Sequence, residues 1–290
     1  MSVSWLQLSL KAPSPALDAI SNFLIERGSP GVVLKKNEVR AFFARSPRTE
    51  TLKRDILRFL RDIRRIYPGF GGQPLRWTPL KDKNWHDSWR RFFSPQKVGR
   101  SLWITPPWMD PPKTRRHQVI TIEPGMAFGT GTHATTRGCL EFLEEVASRL
   151  NRGEITALDV GTGSGILSIA LAKMGAGSVL ALDNDRTALK VARENVKLNG
   201  VERKVRLSTR SLEKIDESFA VVVANLTAET ILDLADALKD RVASGGYLIL
   251  SGMLKPKTAQ VLRCFSPDSF LPARQIRQKE WVTLLLQKRG

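Results

Sequence analysis

Ala157-Leu-Asp-Val-Gly-Thr-Gly-Ser-Gly165 runs directly into Ile166-Leu-Ser-Ile-Ala170. A short apolar run ends in three glycines spaced two apart, and an Ala-rich helical pattern follows. This order reads as a buried strand, a tight turn and a helix whose first amides point at a ligand. Glycine lets a backbone approach a ligand because no side chain intervenes. The spacing is G-x-G-x-G, not the G-x-G-x-x-G of the dinucleotide fingerprint, and a carboxylate, Asp159, stands just ahead of it.

A second apolar run, Val179-Leu-Ala-Leu-Asp183, also ends in an acid. Asp183 falls about 20 residues past the glycines, where a carboxylate accepts hydrogen bonds from ribose hydroxyls. Together the two runs call for a nucleoside-containing ligand lying across a parallel sheet. A nicotinamide dinucleotide would bring a pyrophosphate to the turn. S-adenosylmethionine would bring an ammonium, a sulfonium and a carboxylate, and Asp159 favours that cationic end.

Outward from this pair, strand and helix alternate. Asn184–Leu198 reads as a helix, Val205–Ser208 as a strand, and Val221–Asn225 as a fully apolar strand. Helix Thr230–Val242 and strand Tyr247–Ser251 follow, and polar Gln275–Lys279 with Trp281–Gln287 suggests a closing hairpin. Upstream, strand Val119–Ile122 feeds the loop Glu123-Pro-Gly-Met-Ala-Phe-Gly-Thr-Gly-Thr-His-Ala-Thr-Thr136, with Thr135 and Thr136 placed to cap the next helix. No Gly-Lys-Ser/Thr closes that loop, so it is not a P-loop. In a doubly wound sheet the ligand lies beyond the strand ends where the order reverses. The strand ending at Asn225 then neighbours the one ending at Gly161, with Asn225 beside the reactive centre.

Residues 1–78 read as a separate β-α-β-β-α-β unit. Leu6, Leu8 and Leu10 alternate with polar residues as in a half-buried strand. The helical face Leu17, Ile20, Phe23 and Leu24 stops at Gly28, and a second helix from about Glu50 to Ile66 buries Leu52, Ile56, Phe59, Leu60 and Ile63. This order suggests a ferredoxin-like sandwich. Residues 79–112 read as a linker, and 113–290 as the ligand-binding domain.

The chain carries a net charge of +18. Residues 1–100 hold 20 Lys and Arg against 8 Asp and Glu, hence +12; the remainder hold 26 against 20, hence +6. Arg54, Arg58, Arg61 and Arg65 form a stripe on the second helix. Such a field attracts RNA or another acidic surface, although a solvated face accounts for it equally well. Trp77, Trp85, Trp89, Trp103 and Trp108 fit either an RNA-stacking surface or ordinary packing. Two cysteines, Cys139 and Cys264, imply no disulfide framework and a reducing cytoplasm. His86, His117 and His133 lack metal-ligand spacing, so no metal is expected. No apolar run has the length of a membrane span, and no long apolar edge or heptad calls for a partner copy, so a monomer is expected.

The loop 123–136, the turn Asp159–Gly165, Leu180-Ala-Leu-Asp-Asn-Asp185 and Val223-Ala-Asn-Leu-Thr-Ala-Glu229 together resemble the ribosomal protein L11 methyltransferase family. Gly245-Gly246, Ser251-Gly252 and the pattern Trp85…Trp89…Phe92…Pro95 agree, and the likeness spans nearly the whole chain. The resemblance implies an α/β fold: a Rossmann-like class I methyltransferase sheet of seven strands behind a ferredoxin-like substrate-recognition domain. It implies S-adenosylmethionine as cofactor, with Phe128, Thr130, Thr136, Gly161, Gly163, Asp183 and Asn225 around it. Asp183 would take the ribose hydroxyls and Gly161 the amino acid end. It further implies methylation of amino groups of the ribosomal protein, at the N-terminus and at lysines, with Asn225 steering the nitrogen.

An amine must be neutral to accept a methyl. At pH 7 this costs about 1 kcal/mol for an α-amine and about 4–5 kcal/mol for a lysine. Desolvation and carbonyl acceptors lower the second cost. His133 is a candidate base, but ordering of the loop fits it better. Two other readings remain open: a methyltransferase acting on RNA, for which the charge speaks, and a nucleoside-binding module without turnover.

Overall fold

The computed structural model describes residues 5–29, 31–35, 37–46, 49–67, 75–80, 94–111, 117–123, 131, 133–151, 153, 155–265, 267–271 and 274–290. Of these, the residues up to Ser94 form one compact unit and those from Pro95 onward a second. The hinge expected over 68–72 and 81–87, with Trp85 and Trp89, lies outside the described residues.

The first unit runs β1 (Trp5–Lys11), α1 (Leu17–Glu26), β2 (Val32–Lys35), β3 (Glu38–Ala44), α2 (Thr49–Ile66) and β4 (Arg76–Leu80). Its antiparallel sheet has the order β2-β3-β1-β4, which is the ferredoxin-like arrangement. Strand alternation sends Leu8 and Leu10 of β1, with Val39, Ala41 and Phe43 of β3, to the face that packs on Ile20, Leu24, Ile56, Leu60 and Ile63 of the helices. Trp77 packs at the margin of this core, 5.9 Å from the Phe43 ring, so one of the tryptophans serves packing.

The second unit begins earlier than expected. Part of the stretch read as linker forms strands β5 (Gln96–Val98) and β6 (Leu102–Thr105), which join β7 (Gln118–Thr121) in a sheet of order β5-β6-β7. The physical cause is twofold. Val98, Leu102 and Ile104 are buried in the same core as Leu140 and Leu143. The Glu144 carboxylate also accepts from the turn amides Arg100 N (2.7 Å) and Ser101 N (2.6 Å). Pro, Gly and polar residues around these short strands hide them from a composition-based reading.

After β7 come α3 (Ala134–Ala147), β8 (Thr156–Val160), α4 (Ile166–Met174), β9 (Ser178–Leu182), α5 (Arg186–Leu198), β10 (Val205–Ser208) and β11 (Phe219–Asn225). The chain continues through α6 (Ala228–Asp233), α7 (Ala235–Arg241), β12 (Val242–Leu254), α8 (Thr258–Arg263), β13 (Arg274–Gln278) and β14 (Trp281–Gln287). The single helix read over 230–242 is two pieces, divided at Leu234 (φ −96°, ψ 5°).

The seven-stranded sheet has the order β10-β9-β8-β11-β12-β14-β13. Its first five strands are parallel, and β14 and β13 close it as an antiparallel hairpin. The order reverses between β8 and β11, so the crevice at their C-terminal ends is where a ligand belongs. The parallel strands are apolar along their length because helices cover both faces. α3 packs so closely on the sheet that a Cβ on Gly138 would run into Thr283 of β14.

Candidate active site

Four pieces converge on that crevice: the turn after β8, the end of β9, the end of β11 and the first turn of α3. Val160 pairs with Ala224 and with Leu182, which places Gly161, Asn225 and Asp183 side by side at the strand ends. Gly161, Gly163 and Gly165 all take positive φ (75°, 55° and 84°), a region open to glycine at little cost. A Cβ at Gly161 would also meet Leu226 Cδ2, a side-chain tip that can move aside, so the positive φ is what calls for glycine there. The Leu226 backbone is fixed: its amide donates to Ser251 O at 2.9 Å, and a Cβ on Gly252 would run into its carbonyl.

The turn differs from the expectation of free amides aimed at a ligand. Gly161 N and Thr162 N both donate to Leu182 O at 2.9 Å, and Gly165 N donates to Thr162 O at 2.9 Å. Gly163 N donates to Asp183 Oδ2 at 2.9 Å. With these four amides satisfied inside the protein, the turn lacks the donor cradle that a pyrophosphate requires. The tighter G-x-G-x-G spacing turns the chain back onto β9 before its amides can face outward.

What the crevice offers instead is negative charge. Asp183, half-buried, is oriented by Gly163 N through Oδ2 and by Asp185 N through Oδ1 at 2.9 Å. A carboxylate has about four lone-pair positions, so acceptor capacity remains for two hydroxyls. Asp159 is fully buried beneath the turn. Its Oδ2 accepts from Thr162 Oγ1 and Ser168 Oγ, each at 2.7 Å, while Oδ1 has no partner among the described residues. Burial raises its pKa from 3.8 to about 6 against the pull of those hydroxyls, and the nearby charge of Asp183 adds to the rise. A buried carboxylate with an open oxygen, beside a second carboxylate, is a place for a cation.

The first turn of α3 completes the set, though not as a cap. His133 is the N-cap: its Nδ1 accepts from Thr135 N at 3.3 Å and lies 2.7 Å from Thr135 Oγ1, and its ring stands edge-on to Trp281. His133 thus caps α3 and leaves Thr135 and Thr136 inside the helix, because a histidine nitrogen reaches the N2 amide as a hydroxyl would; the loop it was expected to order lies largely outside the described residues. Thr136 is fully buried with its hydroxyl unpartnered among the described residues. One turn on, Cys139 bonds Ser251 and feels the charge of Asp159; burial pushes its thiol well above the ordinary range. Thr136 therefore lies over the ends of β8 and β12.

Asn225 ends β11 opposite Ser251, and its Oδ1 is buried without a partner among the described residues. Three buried polar atoms (Asp159 Oδ1, Thr136 Oγ1 and Asn225 Oδ1) are thus without partners among the described residues, and an unmet buried group costs about 1–3 kcal/mol. An ammonium, ribose hydroxyls and an incoming amine are donors of the right kind for them, so the donor set fits S-adenosylmethionine and opposes a pyrophosphate. Phe128 and Thr130 lie outside the described residues. Among the described residues no group of histidines, cysteines or carboxylates is arranged to hold a metal, and no helix is long and apolar enough to cross a membrane.

Comparison with known proteins agrees with this geometry. A family model described as ribosomal protein L11 methyltransferase (PrmA) matches residues 4–289. The ribosomal protein L11 methyltransferase of Citrifermentans bemidjiense is 37% identical over 306 residues, covering 99% of each chain. That of Geobacter sulfurreducens is 38% identical over 311 residues, covering 100% of each. A solved ribosomal protein L11 methylase from Lactobacillus delbrueckii subsp. bulgaricus is 33% identical with a TM-score of 0.61, covering 68% of this chain and 100% of that one.

Proposed function

We infer the activity from the premise that this chain belongs to the ribosomal protein L11 methyltransferase family: it methylates ribosomal protein L11 at the N-terminal α-amine and at lysine side chains, using S-adenosylmethionine. When bound, the cofactor supplies a methyl group already activated by its positive sulfur. The chain's own residues then have three tasks. Asp183 holds ribose hydroxyls, and Gly161 and Gly163 let the cofactor lie against bare backbone. Asp159 balances the ammonium from below, with Thr136 closing the site from the α3 side. Asn225 accepts a hydrogen bond from the incoming nitrogen with an oxygen that does not titrate, which aligns a neutral amine without competing for its proton. The observation that carries this reading is the open Asp159 oxygen beneath a turn with no phosphate cradle.

The test is mass spectrometry of ribosomal protein L11 before and after incubation with the purified chain and S-adenosylmethionine. Gains in steps of one methyl, mapped to the N-terminal peptide and to lysine peptides, are expected. Label found only in RNA would replace this reading with the nucleic-acid one; cofactor binding without any transfer would leave a binding module.

We further propose that residues 1–78 recognise the substrate for the catalytic unit that begins at Pro95, and that the protein works in the cytoplasm as a monomer. Arg54, Arg58, Arg61 and Arg65 are all exposed on α2, and the ion pair of Arg65 with Asp62 (3.7 Å) is open to solvent on both sides and weak. This face is the candidate contact for ribosomal RNA. Anisotropy titration with a ribosomal RNA fragment at several salt concentrations checks it. Changing Arg58 and Arg61 to alanine should flatten the slope of log K against log salt by about 1.4–1.8, the share of two phosphate contacts. An unchanged slope removes this face as an RNA contact.

A further inference from the structure

Asn195 lies on the buried side of α5 with no solvent exposure. Its Oδ1 accepts from Glu123 N at 3.0 Å and its Nδ2 donates to Ser164 O at 2.8 Å. One turn later, Asn199 Oδ1 accepts from Thr121 N at 2.9 Å, and its Nδ2 donates to Thr121 O at 2.6 Å and to Asn195 O at 2.8 Å. Asparagine is a poor choice inside a helix and costly to bury unless both ends of its amide are met. Here both ends are met, and by two different elements.

Thr121 to Glu123 is the exit of β7 toward α3, and Ser164 belongs to the glycine turn. Asn199 holds the strand and the carbonyl of Asn195 in its own helix, and makes no bond to the turn. Asn195 spans the gap, with its oxygen on one element and its nitrogen on the other. The amides of Gly161, Thr162 and Gly163 tie the turn to β9 and Asp183, not to that exit, while Ile166 and Leu167 just after the turn share a core with Ile120 and Ile122.

We propose that Asn195 is a positioning residue for the methyl-transfer site: it never touches the cofactor, and it holds the Gly161–Gly165 turn in register with the Glu123 end of the loop that leads to Thr136. This rests on S-adenosylmethionine as the ligand of the turn. Losing the brace lets the turn drift while the fold persists, so cofactor affinity falls by more than stability explains.

Asn199 supplies the control, since Asn199→Leu also removes part-buried side-chain bonds but none to the turn. Titration calorimetry on the full chain with S-adenosylmethionine, paired with thermal melts, compares the two. In Asn195→Leu the Kd rises roughly 30-fold, or about 2 kcal/mol, and the effect appears in KM for the cofactor, with kcat held within about 3-fold. In Asn199→Leu the melting temperature drops comparably, but Kd stays within about 3-fold of the parent. Should Asn195→Leu fail to fold, Asn195→Asp at pH 8.5 keeps an acceptor for Glu123 N and loses the donor to Ser164 O; most of the loss in affinity should remain. Equal shifts of Kd in the Asn195 and Asn199 variants, or parental affinity in Asn195→Asp, overturn the inference. If the parent itself does not bind S-adenosylmethionine, the cofactor reading has failed instead.

Discussion

Asn225→Ala is expected to lower the single-turnover rate of methyl transfer by about 100-fold while leaving cofactor affinity within about 3-fold of the parent. The asymmetry follows from the site. Asn225 Oδ1 is a buried acceptor with no partner among the described residues, at the end of the strand beside the turn. The cofactor already has Asp183, the glycines and Asp159, whereas Asn225 Oδ1 is the amide acceptor in the set described above, with the Thr136 hydroxyl on the α3 side. Removing the amide costs little in folding, because an unmet acceptor disappears with it. It removes the contact that sets the nitrogen in line, and a misplacement of about 1 Å is enough to cost two orders of magnitude. Rapid-quench measurement with the L11 protein and calorimetry with the cofactor separate the two effects. A comparable loss in both would make Asn225 a cofactor anchor, and loss in neither would remove it from the site.

The sheet was legible because periodicity and punctuation agree. Val221–Ala224 and Val179–Leu182 are too apolar and too short to be anything but strands covered on both faces, and a polar residue, Asn225 or Asp183, marks where each stops. The antiparallel ending was legible too, since polar Gln275 and Arg277 alternate with Ile276 as an edge strand requires. Less visible were β5 and β6. They hold only three and four residues, and what stabilises them is remote in sequence: the Glu144 carboxylate on the amides of Arg100 and Ser101. A contact across more than forty positions leaves no trace in local pattern.

The site divides the same way. Asp183 and the glycines announce themselves by spacing, but the direction of the turn's amides does not; only the pairing with Leu182 and Asp183 shows that they face inward. Asn195 was missed although a signal existed. It sits three positions after Ala192 and one before Val196, on the buried side of a helix, where an amide has no reason to be unless something meets it. His133 caps α3, work that the sequence pattern assigns to the threonines beside it.

Asp159→Asn should separate the two consequences of a buried charge. In the folded chain Asp159 keeps its proton up to about pH 6, against 3.8 when exposed. Below about pH 3 folded and unfolded chains both hold the proton, and the group has no effect on stability. As pH rises from 4 to 6 the unfolded chain releases it while the folded one retains it, so stability falls across that window; above 6 the full cost, about 3 kcal/mol, is present. In the asparagine variant this slope vanishes. The stability difference between variant and parent should therefore move by about 2–2.5 kcal/mol in the variant's favour between pH 4 and pH 7, whatever constant offset the new amide introduces. Urea melts at the two pH values read that difference directly. Cofactor affinity should move the other way. The parent pairs the ammonium with a carboxylate; the variant cannot, and should lose about 10- to 100-fold at pH 7.5, the worth of a hydrogen bond to a charged group. Parental affinity should itself decline as pH drops through 6, and variant affinity should not. A variant that gains stability yet binds S-adenosylmethionine as tightly as the parent would show that the buried charge serves something other than the ligand's cationic end, and the case against a phosphate-bearing ligand would then rest on the inward-turned amides alone.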